Sequence, residues 1–371
     1  MSNTIPKKCL VDALTIYKSA FDTSGLVAIE IKNDRCYMDV NGQIMSLRVS
    51  FEVDKQPDTK SQLVMETDRL LGFLKGGNGD ELGLTTKKTH TLSIDKTNLS
   101  VPLSVYEVKS WASLGVKKDP TTITSAHLFA RIAKTITPFV TGGHHGVLDS
   151  ICIRKNKNEL EIVGTDGFRI GVVHITDTAL DELNDINVII PSTVLGILSK
   201  LVKSDEPCSI YVVDDLFRMD IEFGKLSIEV VACPVVSAYP NIYKLLQAQP
   251  DHEWELNATD LIQYCGLHRT VGTNRRTADA KFTLRDDSIK MITPGESEVN
   301  STIGSVERLK GTGDMEVNLS LRFVVDAVNL IALNGSERIK MGICMKTNLV
   351  WLRADSTNPS VKTMAVVVPM K

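Results

Sequence analysis

Three apolar runs that each close on a glycine turn recur along the chain at nearly constant spacing, and this repetition restricts the fold more than any other feature. The runs are 35–42, 159–167 and 288–295, and each reads as a strand followed by a tight turn. Gly42, Gly167 and Gly295 are separated by 125 and 128 residues, and 25 residues after each stands a hydroxyl residue, Thr67, Ser192 or Ser320. A hydroxyl at that place predicts a helix N-cap. Apolar residues at helical spacing follow in 70–74, 194–198 and 323–328, and strand runs such as 209–213 and 349–352 come after them. A second amphipathic helix precedes each glycine, at 9–20, 125–140 and 257–269. The pattern predicts an α+β chain of three repeated domains, 1–118, 119–248 and 249–371. Lys117-Lys118-Asp119-Pro120 and Gln247-Ala248-Gln249-Pro250-Asp251 read as the links. Neither link is long or low in complexity, so the domains are expected to pack rigidly.

A length of 371 residues exceeds what one core organises, and 43% apolar with 23% charged residues is ordinary globular usage. The seven cysteines are scattered with no Cys-x-x-Cys pair, which points to a reducing cytoplasm and away from structural zinc. With no apolar segment after Met1 to Lys8 and no run of 18 apolar residues, export and membrane spanning are not expected.

The net charge of −3 conceals a segregation. The helical windows 7–20, 65–75, 124–140, 192–203, 257–276 and 318–333 contain Lys7, Lys8, Lys18, Arg69, Lys75, Arg131, Lys134, Lys200, Lys203, Arg269, Arg275, Arg276 and Arg322. Their acids are only Asp12, Glu66, Asp68, Asp260 and Asp326, so the helices carry +8 and the remainder −11. If the helices share one side of their sheets, that side is positive and attracts phosphates without reading a sequence. No recognition-helix or zinc-finger spacing accompanies it, and aromatic residues are 5% of the chain.

No constellation for catalysis emerges. Gly76-Gly77-Asn78-Gly79 lacks the spacing of a dinucleotide loop and reads as a plain loop. His144-His145 has no further ligand at metal-binding spacing, and Asp214-Asp215, Asp286-Asp287 and Thr165-Asp166-Gly167 suit turns between strands. No cofactor or metal is expected.

Three segments carry a resemblance. Gly164-Thr165-Asp166-Gly167-Phe168-Arg169-Ile170 resembles the A-T-D-G-H-R-L segment of bacterial-type DNA sliding clamps, the β processivity subunits of DNA polymerase III. Ala238-Tyr239-Pro240-Asn241-Ile242-Tyr243-Lys244-Leu245 resembles their F-P-D-Y-R-R-V segment, and Val366-Val367-Val368-Pro369-Met370-Lys371 their V-V-M-P-M-R end. The motifs cover about 120 to 371, and the first third fits by repeat position alone. Phe168 stands for the family's usual histidine, Lys244 for an arginine, and Lys371 is last where the family has a further leucine.

The resemblance implies a head-to-tail homodimer, a six-domain ring with helices inside, that encircles double-stranded DNA and performs no chemistry. The partners it implies are the replicative polymerase, a clamp loader and other clamp-binding proteins, in the cytoplasm at the nucleoid. It also implies a pocket for short peptides formed by Leu148, Thr165, Gly167, Phe168, Arg169, Ile170, Pro240, Lys244, Leu245, Val366, Val367, Val368, Pro369 and Met370. Apolar side chains there would receive Leu and Phe anchors, and Arg169 with Lys244 would orient the peptide's polar groups. Val271 is implied at the dimer interface. A scaffolding repeat protein that never encircles DNA is the alternative reading.

Overall fold

The computed structural model describes residues 4–21, 25–42, 44–54, 63–86, 90–94, 100–102, 104–105, 122–140, 146–176, 186–201, 207–213, 216–271, 279–294, 298–355 and 357–370. The first repeat runs β1 (Thr4–Pro6), α1 (Lys7–Ala20), β2 (Leu26–Lys32), β3 (Arg35–Asn41), β4 (Met45–Glu52), β5 (Leu63–Glu66), α2 (Thr67–Gly76), β6 (Glu81–Thr86), β7 (His90–Ile94), β8 (Ser100–Pro102) and β9 (Ser104–Val105). The second runs β10 (Thr122–Ser125), α3 (Ala126–Ile136), β11 (Ser150–Asn156), β12 (Glu159–Thr165), β13 (Arg169–Thr176), β14 (Asn187–Pro191), α4 (Ser192–Leu201), β15 (Pro207–Val213), β16 (Leu216–Phe223) and β17 (Leu226–Ala232). After the short α5 (Tyr243–Leu246), the third runs β18 (His252–Asn257), α6 (Ala258–Val271), β19 (Asp279–Leu284), β20 (Ile289–Thr293), β21 (Val299–Ile303), β22 (Val306–Lys310), β23 (Met315–Ser320), α7 (Leu321–Ile331), β24 (Arg338–Cys344), β25 (Leu349–Arg353) and β26 (Val361–Val367). Strand, helix, four strands, helix, three strands: that order occurs three times, with β9 and β22 added. The fold is α+β, as the repeat predicts.

By its contacts the chain divides into two compact units, Met1–Ala130 with Glu182–Asn184 and Thr193–Pro234, and Arg131–Asp181 with Asp185–Ser192 and Val235–Lys371. The first unit holds a nine-stranded antiparallel sheet ordered β10-β15-β16-β17-β4-β3-β2-β5-β9 and a four-stranded sheet β1-β6-β7-β8. Its large sheet joins two repeats at one ladder, where Val230 of β17 faces Leu47 of β4. Cys36 and Met38 alternate along β3 with Arg35, Tyr37 and Asp39, as a period of two requires. Arg35 and Tyr37, with Arg48, Ser50, Asp220, Glu222 and Glu229, line a polar cleft of about 410 Å³. Arg48 donates to both oxygens of Asp39 at 2.7 and 2.8 Å, and Arg218 lies 2.6 Å from Glu229.

The second unit holds the sheet β14-β11-β12-β13-β26-β25-β24-β18-β22 and the sheet β21-β20-β19-β23. Its large sheet is again joined across repeats, by β13 and β26, with Ile170 facing Val366. One face here is apolar: Cys152, Val163, Ile170, Val172, Ile189, Trp351 and Val366 form a single buried cluster with Ile242. Val235, Tyr239, Leu246 and Ala248 of the segment after β17 pack onto it. The opposite face receives helices so closely that a methyl at Gly171 would stand 2.9 Å from Ile136, Phe139 and Leu330.

The helix starts agree with the windows to within a few residues, but the expected hydroxyl caps need correction. Thr67 is already inside α2, and its hydroxyl donates 2.7 Å to the carbonyl of Gly25. Ser320 is the N-cap of α7 yet makes no side-chain capping bond. Window 124–140 is α3 followed by a 3-10 turn at Thr137–Phe139. Gly295, His144-His145 and Asp214-Asp215 lie outside the described residues. Asp286-Asp287 does occupy a hairpin turn, closed by Arg285 N–H donating to Ser288 O at 2.8 Å.

Candidate functional site

The segments 165–170, 240–245 and 366–370 come together in the second unit. Between β12 and β13 the chain turns at Thr165 to Arg169, with Gly167 at φ +86°, a conformation that favours glycine. Asp166 Oδ1 accepts the N–H groups of Phe168 and Arg169, both at 3.0 Å, and Thr165 Oγ1 donates to Arg169 O at 2.7 Å. The C-terminal segment is tied to this turn by Val368 N–H, which donates to Phe168 O at 2.8 Å, and Met370 N–H bonds Asn318 O.

Within the expected lining, burial separates floor from rim. Ile170, Val366 and Val367 are buried, and Ile170 and Val366 belong to the apolar cluster. Leu148, Val368, Pro369 and Met370 are half-buried, while Gly167, Phe168, Pro240, Lys244 and Leu245 are exposed. Among the described residues, nine large apolar side chains are exposed; four of them, Val236, Tyr243, Leu245 and Met345, directly neighbour residues of this cluster in the chain, and Phe168 lies two residues from Ile170. The chain neighbours of those four, Val235, Ile242, Leu246 and Cys344, pack on or in it. An apolar patch on a soluble surface is the usual mark of a partner site. Val236, Tyr243, Met345 and Trp351, in or beside this cluster, are not among the pocket residues that the resemblance implies, although Tyr243 stands within one of its motifs. Val236 sits alone in a loop, and Trp351 becomes part of the floor only because β25 pairs with β26, setting it opposite Val366.

Arg169 departs from its expected role. Its side chain is 2% exposed, so it cannot orient the polar groups of an incoming peptide, and among the two cations expected to do so only Lys244 is exposed. Beside the rim, Tyr243 Oη donates to Glu161 at 2.9 Å, and partial burial, followed by this bond, raises the Tyr243 pKa to about 12. Tyr243 therefore stays a neutral donor at physiological pH.

The expected cations are placed unequally. Lys8, Lys18, Arg69 and Lys75 are exposed on α1 and α2, but Lys18 is 2.9 Å from Asp68, and Lys7 is half-buried and donates to Gly77 O. Arg131 and Lys134 are exposed on α3. They line a groove of about 460 Å³ with Pro138, Asp326, Asn329 and Leu333. Arg322 is exposed on α7 and Arg269 half-buried on α6. Lys203, Arg275 and Arg276 lie outside the described residues, as do the side chains of Lys200 and Val271. Among the described residues no helix is long and apolar enough to cross a membrane.

Residues 122–233 match the family model of the DNA polymerase III β subunit, central domain. A comparison with curated protein sequences finds no match. In solved structures the fold recurs at full length. The Helicobacter pylori β clamp in complex with carprofen aligns at a TM-score of 0.83 and 14% identity, covering 100% of both chains. The same organism's β clamp bound to a DNA ligase peptide gives 0.79 at 14%, again over 100% of both. The DNA polymerase III subunit β of Pseudomonas aeruginosa gives 0.80 at 15% over 100% of both. Residues 122–233 thus match the central domain of the DNA polymerase III β subunit, and the chain as a whole has the fold of the bacterial-type sliding clamps.

Proposed function

We propose that this protein is a DNA sliding clamp, a non-catalytic ring that encircles duplex DNA and tethers the replicative polymerase for processive synthesis. The full-length agreement in fold with bacterial β clamps carries this reading. Domains 1–118, 119–248 and 249–371 would each be one clamp domain, and two chains joined head to tail would close six of them. The excess of cations on the helices supports a sleeve that holds the phosphate backbone loosely. Topological linkage then replaces affinity, because a tethered partner stays at high local concentration without any strong contact. The protein would act in the cytoplasm, at the nucleoid, with no cofactor.

The apolar patch around Ile170, Val366 and Phe168 would receive the short peptides of polymerase, clamp loader and other clamp-binding proteins. That a Helicobacter pylori clamp binds a DNA ligase peptide supports the partner class. Deleting Pro369 to Lys371 should remove peptide binding and leave the thermal midpoint nearly unchanged, since the β13–β26 ladder ends at Val367. Loading onto nicked circular duplex followed by linearisation tests the ring: retention that is lost on cutting is expected. Equal retention on both forms would favour the scaffolding alternative.

A further inference from the structure

Arg169 lies in the turn of the proposed peptide pocket yet faces away from it, and everything it touches belongs to other elements of the second unit or to its own turn. Its Nε donates to Asp166 Oδ2 at 3.0 Å, its Nη1 to Asp326 Oδ2 at 2.6 Å, and its Nη2 to Pro138 O. The guanidinium plane lies 4.2 Å from the ring centre of Phe323 and 5.3 Å from that of Phe139. Asp326 and Phe323 are on α7, and Pro138 and Phe139 follow α3. One side chain therefore joins the pocket turn to two helical segments on the opposite face of the sheet.

A guanidinium is suited to this place. Its fork reaches two carboxylates and a carbonyl in fixed directions, and its flat faces stack on aromatic rings. Lysine offers one point charge and cannot hold three directions at once. Asp166 is engaged from both sides, since Oδ1 holds the N–H groups of Phe168 and Arg169 while Oδ2 holds the guanidinium. The backbone N–H of Phe168, whose side chain is 60% exposed at the rim, is held by that chain of bonds.

We propose that Arg169, Asp326 and Phe323 are positioning residues for partner binding: the Arg169–Asp326 pair, stacked on Phe323, pins the turn that presents Phe168 and so sets how long a peptide stays bound. The inference rests on the reading of that patch as the peptide pocket. Residues of α7, which no peptide touches, then govern the lifetime of the complex. Preorganised loops gain affinity by this route, because the cost of ordering them is met before the partner arrives.

The full-length protein and a fluorescein-labelled peptide with Leu and Phe anchors test this. Dissociation would be followed by anisotropy, and amide exchange would be read along residues 165–170. Asp326→Asn should speed dissociation by about tenfold, the usual scale for a lost charge-assisted bond. Faster exchange should be confined to the turn. Phe323→Leu removes the stacking face without leaving a charge unpaired, and it should act in the same direction should the first variant fold poorly. Unchanged dissociation in both variants, with the wild-type chain binding normally, overturns the proposal. So does an exchange increase spread evenly over the sheet, which marks plain destabilisation. A wild-type chain that does not bind the peptide overturns the pocket reading itself, and the proposal with it.

Discussion

His268 on α6 has no exposed surface, and its ring nitrogens lie 2.8 Å from Thr293 Oγ1 and 2.7 Å from Ser301 Oγ. Neither partner is charged, so burial acts alone and lowers the pKa from its ordinary 6.5. The unfolded chain then binds a proton that the folded chain resists. The stability tied to this residue is complete above about pH 6.5 and is lost as pH falls below that value toward the folded pKa. Urea denaturation should show a lower midpoint at pH 5.5 than at pH 7.5, with part of that slope absent in His268→Gln. Equal slopes in both proteins would reject the assignment. The sequence contains His268 with no sign of this, because Thr293 and Ser301 lie 25 and 33 residues away and meet it only through β20 and β21. Arg169 teaches the same lesson from the other side. Its motif was legible, but its inward direction follows from Asp326, 157 residues distant.

At the scale of elements, helix positions were legible because each amphipathic pattern matches a face that the sheet buries. Their capping was not. Thr67 sits where a cap was expected, but the carbonyl of Gly25 competes for its hydroxyl, and sequence spacing does not report that rivalry. Gly171 is a sharper case, since its sequence neighbours Ile170 and Val172 mark only an apolar strand. In the fold it is where β13 meets Ile136, Phe139 and Leu330 with no room for a Cβ. Gly171→Val should destabilise by about 1–3 kcal/mol through overpacking, measured by denaturant titration. An unchanged midpoint would mean that the helices yield there without cost. Pocket affinity should fall as well, because the same strand carries Ile170.

At the scale of the molecule, each unit contains one four-stranded sheet, and β8 and β21 each have one ladder neighbour among the described residues. Edge strands of this kind are ordinarily covered or paired. Pairing between the first repeat of one chain and the third of another would close the proposed ring. Val271→Glu, at the end of α6, should then yield monomers by light scattering at low micromolar concentration, and a persistent dimer would displace the interface from that place. Replacing Arg131, Lys134, Lys200 and Lys203 together should weaken DNA retention and leave the dimer intact. The loss should shrink as salt rises, since exposed charges are screened over roughly 10 Å at 0.1 M. Retention unchanged across a salt series would separate these cations from DNA.

Periodicity and composition determined the α+β class, the threefold repeat and the position of nearly every helix, because those depend on which residues alternate with a period of two or 3.6 along one segment. What only the tertiary structure decided depends on strands from different repeats lying side by side. The β17–β4 ladder brings together the arginines and carboxylates of a polar face, whereas the β13–β26 ladder brings together Ile170, Val366 and Trp351 under an apolar patch. Both seams are built to one plan. Their different faces arise from side chains more than 150 residues apart, and such pairs are set by register across the seam, which no local pattern encodes.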